Sequence, residues 1–468
     1  MEQPHPHPWR AFIVLAVPIF LTVVDLFIVN VALPAVAAEF TAATLSELSW
    51  VLTSYAIIFA AALVPAGKLG DLYGRRRLYI GGLATFLVGS VLAAASPSLS
   101  LLLAARAVQA LGAAAMTPNS LGLMLPQFGP DRRAAAIAAW GAIAGIGAAA
   151  GPVLGALLAD ASWRWIFLVN LPLGALALIL VPRIVQEVKD ESAARFPDAI
   201  GAALLAVAIG LLTLGLSQAS LWSRDGRMIA SLLAASLIGA AFVWRSSRHP
   251  APVVELSLLR QPAFALAMAG SVLFWAGFAA LLVSSALFLT SVWRFSILEA
   301  GFGLAPGPAL SAVFAGLSGR LTARFGAGRV GGVGGMLLAV AAISLGAQLT
   351  ERPDYVGAFL PAQLIGGAGI GLAIPSMVAI AVAALPALRL STGIGVYSMF
   401  RQIGAALGVA AWVAAVGTES LGDAASFVPG WAFIAAMSVA ASVVLLATVL
   451  PGIGQRPREL ASAMAGGR

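Results

Sequence analysis

The feature that most limits what this chain can become is a succession of apolar runs, separated by short breaks that hold nearly all of its charge. A bilayer core about 30 Å thick takes roughly 20 apolar residues per helix. On that window, spans fall near 11–33, 50–69, 78–96, 99–123, 133–159 and 164–182, then 199–217 and 228–244. The last six fall near 263–291, 299–319, 329–349, 356–384, 392–416 and 430–450. The expected fold class is an all-α integral membrane protein with fourteen transmembrane helices, or twelve if the seventh and eighth runs are not true spans. Composition points the same way. Only 10% of the 468 residues are charged and 60% are hydrophobic, whereas soluble domains carry about 25% charged residues. So little polar surface cannot cover a water-soluble globule of this size.

The net charge of +8 would suit nucleic acid, but the basic residues sit in the breaks between apolar runs, as orientation signals do. With the N-terminus inside, 20 of the 27 Lys and Arg fall in inward breaks, five in outward ones (Arg164, Arg224, Arg227, Arg294, Arg352) and two within spans. That bias satisfies the positive-inside rule and places both termini in the cytoplasm. Cysteine is absent, which excludes disulfides and thiolate metal sites. His5 and His7 lie in a Pro-rich N-terminal tip, and no metal is expected. The run from Ala11 to Leu33 is too long for a signal-peptide core and carries an Asp, so cleavage after it is not expected.

An internal repeat organises the spans. Gly67-Lys68-Leu69-Gly70-Asp71-Leu72-Tyr73-Gly74 returns in outline 252 residues later, from Gly319 to Gly326. Arg106, Gln109, Gly112, Pro118 and Asn119 share their spacing with Gln363, Gly366, Gly369, Pro375 and Ser376, at an offset of 257. Parallel halves with a substrate site at their interface describe one large class of secondary transporter. The halves implied are 1–190 and 261–455, each a six-helix bundle, with two inserted helices in 191–260 and a cytoplasmic tail at 456–468. The polar residues favour the first half, because Asp71 and Arg106 meet Ala323 and Gln363 in the second. The glycine-rich stretch Gly366–Gly371 resembles a nucleotide fingerprint, but it lies within an apolar span with no strand before it, and reads as helix packing.

Three ionisable residues lie clearly inside spans: Asp25, Arg106 and Arg401. Each costs about 2.5–3.5 kcal/mol at a helix centre, so each is a functional candidate. Desolvation favours the neutral form of a carboxylate and a nearby Arg the ionised form; that balance makes Asp25 the candidate for exchanging a proton. Arg106 stays charged and shares a face with Gln109, from which it can tune Asp25. The alternative for both is a permanent structural ion pair. Thr22 shares the Asp25 face. Arg401 follows Tyr397 by one turn, and a substrate-facing role stands beside satisfaction by backbone carbonyls. The loop Gly67–Arg77, with Asp71, Gly74, Arg75 and Arg76, suits an electrostatic latch between halves, or orientation signals alone. Gly147, Gly151, Pro152 and Gly155 make a flat, kinked strip for helix contact.

These motifs together resemble the major facilitator superfamily, and within it the fourteen-helix drug:proton antiporter subfamily. Asp25–Pro34 looks like that subfamily's first-helix motif and Gly67–Arg77 like the superfamily's loop motif. Arg106–Gly112 is similar to the fourth-helix motif, Gly147–Gly155 to the fifth-helix antiporter motif, and Trp163–Pro172 to the segment opening the sixth helix. Three positions depart. Phe27 stands where a small hydroxylic residue is usual, Leu72 where Arg usually follows the Asp, and Ala156 where a second Gly is usual.

The resemblance implies a transporter and no enzyme, exporting cargo by alternating access in exchange for protons and needing no cofactor. Asp25 and Arg106 would couple the proton, and Thr22, Asn30, Gln109, Gln363, Tyr397 and Arg401 would line the substrate cavity. One buried carboxylate suggests neutral or monocationic aromatic cargo; Glu299 lies too near an outer edge to be a second. Lipid, protons and the small hydrophobic substrate are the expected partners, without nucleic acid, on a monomer in the inner membrane. An uptake symporter on the same scaffold, or a membrane enzyme or sensor, are the alternatives; an enzyme would need more acid, His or Cys than the spans hold.

Overall fold

The computed structural model describes residues 8–128, 130–189, 196–222, 226–385, 390–417 and 422–450. His5, His7, Arg195, Arg224, Arg389 and the tail 456–468 lie outside them, as do the side chains of Arg132 and Arg133. The described residues are helical and contain no strand. Thirteen of their helices are long and apolar enough to cross a membrane. In chain order the long helices are α1 (Pro8–Glu39), α2 (Leu45–Tyr73), α3 (Arg75–Ala94), α4 (Leu99–Met124), α5 (Pro130–Ala161), α6 (Trp165–Ile184) and α7 (Ala199–Ser217). They continue as α8 (Arg227–Arg248), α9 (Pro262–Val292), α10 (Ile297–Phe325), α11 (Ala327–Gln348), α12 (Tyr355–Ala383), α13 (Leu390–Val416) and α14 (Ala424–Ala447). Of these, α5 is one continuous helix of 32 residues and is the one that is not among the thirteen. Every apolar run read from the sequence falls on one of these helices.

Local chemistry explains their ends and bends. Thr44 with Glu47 starts α2, and Ser296 with Glu299 starts α10, each as a reciprocal capping box that satisfies otherwise orphaned N–H groups. Glu299 is thus occupied as a helix cap. Helix α1 breaks at Ala16 because Pro18 has no N–H to offer the carbonyl of Val14. The hydroxyl of Tyr79 donates to that carbonyl instead, at 2.7 Å.

Two bundles assemble from these helices. In the first, α1 packs on α5, and α4 on both α2 and α3; in the second, α9 packs on α13 and α14, and α12 on α10 and α11. They meet along two seams, α2 with α13 and α5 with α10. Helices α7 and α8 pair with each other, and α7 lies over both α2 and α13 at the first seam. Ile229, Leu233, Leu237 and Val243 of α8 are exposed, as an outer helix bathed in lipid requires.

The repeat is visible in three dimensions. The chain turns from α2 to α3 through Gly74 and from α10 to α11 through Gly326, with φ of 111° and 88°, a region where a Cβ is strained. A Cβ on Gly112 would lie 2.6 Å from the Gly82 carbonyl, and one on Gly369 2.6 Å from that of Gly334. The α3–α4 and α11–α12 pairs therefore close on matched glycines, so that backbones touch where side chains would hold them apart.

Candidate coupling and substrate site

Asp25, Arg106 and Gln109 come together at the middle of the first bundle. Asp25 is 1% exposed and Arg106 1% exposed. The Arg106 guanidinium donates through Nη1 to Asp25 Oδ2 at 2.7 Å and to Gln109 Oε1 at 2.8 Å. Its Nε donates to the carbonyl of Val51 at 3.0 Å, and the guanidinium lies over the Tyr55 ring, 4.2 Å from its centroid. Gln109 donates to Asp25 Oδ1 at 3.3 Å and to Ser90 Oγ at 2.9 Å. Asn170 also donates to Ser90 Oγ, at 3.3 Å. The pair thus ties α1, α2, α3, α4 and the start of α6 into one network. A buried charge is tolerated when it is paired and hydrogen-bonded, and here Asp25 takes the charge while Gln109 and Val51 O take further donors.

The other cavity candidates are more dispersed. Thr22 turns its hydroxyl back to the carbonyls of Pro18 and Ile19, at 2.8 and 3.2 Å. Asn30 donates to Leu26 O at 2.6 Å, leaving its buried Oδ1 unpartnered. Gln363 packs in the second bundle, where its Oε1 would lie 2.7 Å from a Cβ on Gly307 of α10. It does not join the Asp25 network. Tyr397 is buried, and its hydroxyl has no hydrogen-bond partner among the described residues. Arg401 has its guanidinium 5.0 Å from the Trp275 ring centroid. Among the described residues it forms no ion pair, and its buried Nε is unpartnered. The backbone carbonyls expected as its alternative partners do not take that N–H.

The candidate latch closes largely on its own bundle. Asp71 pairs with Arg75 at 2.6 Å, four residues on. The N–H groups of Arg76 and Arg77 donate to Glu187 at 2.7 and 3.3 Å, so this carboxylate covers the positive end of α3. Arg76 also donates to Val185 O at 2.9 Å. One link leaves the bundle at Lys68, whose Nζ donates to Pro252 O at 2.7 Å in the linker after α8. Gly67 faces Pro118 across α4.

The glycine strip of α5 has a similar outcome. A Cβ on Gly147, Gly151 or Gly155 would press on α1, the tightest being Gly151 at 2.5 Å from Phe27 Cβ. The strip is packing within the first bundle. The seam to the second bundle runs one position further round, where a Cβ on Gly301 of α10 would lie 2.8 Å from Pro152 O and clash with Ala156. Ala156, the departure from the usual Gly, is accommodated by a glycine on the opposite helix. Phe27, another departure, meets Phe278 of α9 at 6.2 Å between ring centroids.

Sequence reasoning missed Ser90, Tyr55, Glu187 and Trp275, which are unremarkable residue types for their surroundings. Asn170 lies within the sixth-helix segment, as do Trp163 and Arg164, which both donate to Glu39 of α1 at 2.6 Å.

The model of the Major Facilitator Superfamily matches residues 15–409. Multidrug resistance protein Stp of Mycobacterium tuberculosis is 35% identical over 410 residues, covering 85% of this chain and 75% of Stp. The tetracenomycin C resistance and export protein of Streptomyces glaucescens is 31% identical, covering 86% of this chain and 75% of its own. A POT family transporter solved with 5-aminolevulinic acid superimposes with a TM-score of 0.69 over 94% of this chain and 96% of its own, at 14% identity, a likeness of fold. With two matched bundles, a family match over most of the length and such relatives, the chain belongs to the major facilitator superfamily, as a multi-pass membrane transporter.

Proposed function

We propose that this transporter exports small hydrophobic drugs or toxic metabolites in exchange for protons. The reading places fourteen spans in the inner membrane, with α5 as the fifth, α7 and α8 as the insert between six-helix halves at 1–190 and 261–455, and both termini in the cytoplasm of a monomer. Similarity to relatives named for multidrug resistance and for antibiotic export supports the direction and the cargo.

The observation that carries proton coupling is the buried Asp25–Arg106 pair, 2.7 Å apart. Protonating Asp25 cancels its charge and releases Arg106 toward Gln109, Val51 O and the Tyr55 ring. Helix α1 then loses its ionic tie to α4, while Arg106 keeps its hold on α2. Because α1 also meets α9 and α2 meets α13, that exchange of partners bears on how the bundles lie against each other. In alternating access, ionised Asp25 accompanies cargo loading from the cytoplasm or inner leaflet. Proton binding from outside accompanies cargo release and the return.

The test expresses wild type and Asp25→Asn in a host stripped of its own pumps, and measures resistance and dye efflux with and without a proton uncoupler. The expected result is uncoupler-sensitive efflux by wild type and none by the variant. Equal efflux by Asp25→Asn removes the carboxylate from coupling, and inward accumulation driven by the same gradient turns the reading into uptake.

A further inference from the structure

The second intramembrane arginine sits among buried polar groups that lack partners among the described residues. Four groups converge there from three helices. Arg401 and Tyr397 stand one turn apart on α13, Trp275 is on α9 with its ring under the guanidinium at 5.0 Å, and Tyr55 is on α2, an electrostatic neighbour of Arg401. Arg401 Nε, Tyr397 Oη, Trp275 Nε1 and Tyr55 Oη are all buried, and none has a hydrogen-bond partner among the described residues. Tyr397 faces Trp275 and Ser271, but no bond of acceptable geometry forms between them. Guanidinium and indole N–H groups can only donate. The two phenol hydroxyls can also accept; buried polar atoms are nearly always paired, so two obligate donors left over beside them mark a place where something else supplies the acceptor.

What should supply them follows from charge. Asp25 is the sole carboxylate well inside the spans, and it is held by Arg106 and Gln109. Its side of the Tyr55 ring is occupied by the Arg106 guanidinium at 4.2 Å. No carboxylate among the described residues pairs with Arg401, which leaves a full positive charge deep between the bundles. Arg401 nevertheless retains partial accessible surface, so it borders space rather than being packed solid. Around it the walls are aromatic: Trp275 meets Phe278 at 5.2 Å, and Phe278 meets Phe27 across the bundles at 6.2 Å. Planar apolar surfaces beside one fixed charge are the usual make-up of a small-molecule site.

We infer that Arg401, Trp275, Tyr397 and Tyr55 bind the negative end of the cargo. The cargo class is a planar aromatic compound carrying a carboxylate or an acidic phenol or enol ionised at neutral pH. Arg401 anchors the anionic oxygen by charge-assisted hydrogen bonds, with the Trp and Tyr donors completing its shell. Cargo and proton site then have one guanidinium each: the cargo uses Arg401 while Asp25 keeps Arg106, with Tyr55 between. This revises the neutral or monocationic cargo expected from the sequence, where Asp25 was counted as open to a cation. It rests on the export reading above.

The experiment uses two dyes of one tricyclic skeleton and opposite charge, fluorescein as the anion and rhodamine 123 as the cation. Efflux is measured from the stripped host, and binding to purified full-length protein by fluorescence anisotropy. Wild type is expected to export fluorescein and to bind it at least about tenfold more tightly than rhodamine 123, a margin of about 1.4 kcal/mol. Arg401→Gln should lose that margin while rhodamine 123 binding holds or improves; Arg401→Lys should restore part of it. Tyr397→Phe and Trp275→Phe keep the rings and should each weaken fluorescein by a smaller factor. Wild type that exports rhodamine 123 but not fluorescein overturns this inference and leaves the export reading standing. Export of neither dye overturns both. Unchanged fluorescein binding in Arg401→Gln also overturns it, and if that variant does not accumulate, the wild-type binding preference decides alone.

Discussion

The two intramembrane arginines make the most instructive contrast in this molecule. Arg106 has a carboxylate, an amide oxygen, a backbone carbonyl and an aromatic face within reach. Arg401, in the other half, has an aromatic face and, among the described residues, no partner for its Nε. The same residue type is thus finished in one bundle and unfinished in the other. A finished pair can act only by being broken, which suits a proton arriving at Asp25. An unfinished charge can act by being completed, which suits a ligand. On the proposed reading, the two halves divide the labour in this way, with the quoted motif residues concentrated on the first.

The largest test of that contrast is to remove each arginine in turn. Arg106→Met leaves Asp25 as an uncompensated buried charge and should cost about 3–5 kcal/mol, read as a large fall in the thermal midpoint of the purified protein. Arg401→Met removes a charge that has no carboxylate partner among the described residues and should leave the midpoint unchanged or raise it. If both variants fall equally, the contrast fails. A second test concerns transport modes: Asp25→Asn should abolish gradient-driven efflux yet keep cargo exchange in vesicles without a gradient, since the Arg401 side is intact. Loss of exchange as well would move Asp25 into the cargo site.

Smaller effects sharpen the packing side. Gly151→Ala would place a Cβ 2.5 Å from Phe27 Cβ and should cost about 1–3 kcal/mol by overpacking. Gly316→Ala, on α10 with nothing within 4 Å, should be neutral or stabilise by roughly 0.5–1 kcal/mol; thermal melts of the two variants check both. The smallest concerns the insert, where Asp198 caps α7 by accepting from Gly201 N at 2.8 Å and from Arg245 of α8 at 2.7 Å. Burial pushes its carboxyl up, but these bonds outweigh it and hold it below the ordinary carboxylate value. A lowered value means the contribution is present above the unfolded value of about 3.9 and is lost as pH falls through the folded one. Asp198→Ala should therefore cost about 0.5–2 kcal/mol at pH 7, with the wild-type advantage unchanged between pH 5 and 8 by thermal melts and disappearing only in stronger acid.

Much of this was legible in one sequence. Apolar length sets where helices lie because a bilayer offers no water to an unpaired backbone, and each run became a helix. Spacing exposed the repeat, since Gly112 and Gly369 must each let a neighbouring backbone pass. Rarity exposed Asp25 and Arg106, because charge in lipid is expensive wherever it sits. These are properties of residues in a solvent, and the chain alone states them. Which bundle a given face touches is different. The Gly147–Gly155 strip could have served a seam or an interior, and only the packing sends it to α1 and leaves Ala156 against Gly301. Likewise Glu187 became the cap of α3 through contacts more than a hundred residues apart, with no local pattern to betray it. Whether a buried arginine is satisfied depends on groups brought from other helices, so the difference between Arg106 and Arg401 belongs to the tertiary structure.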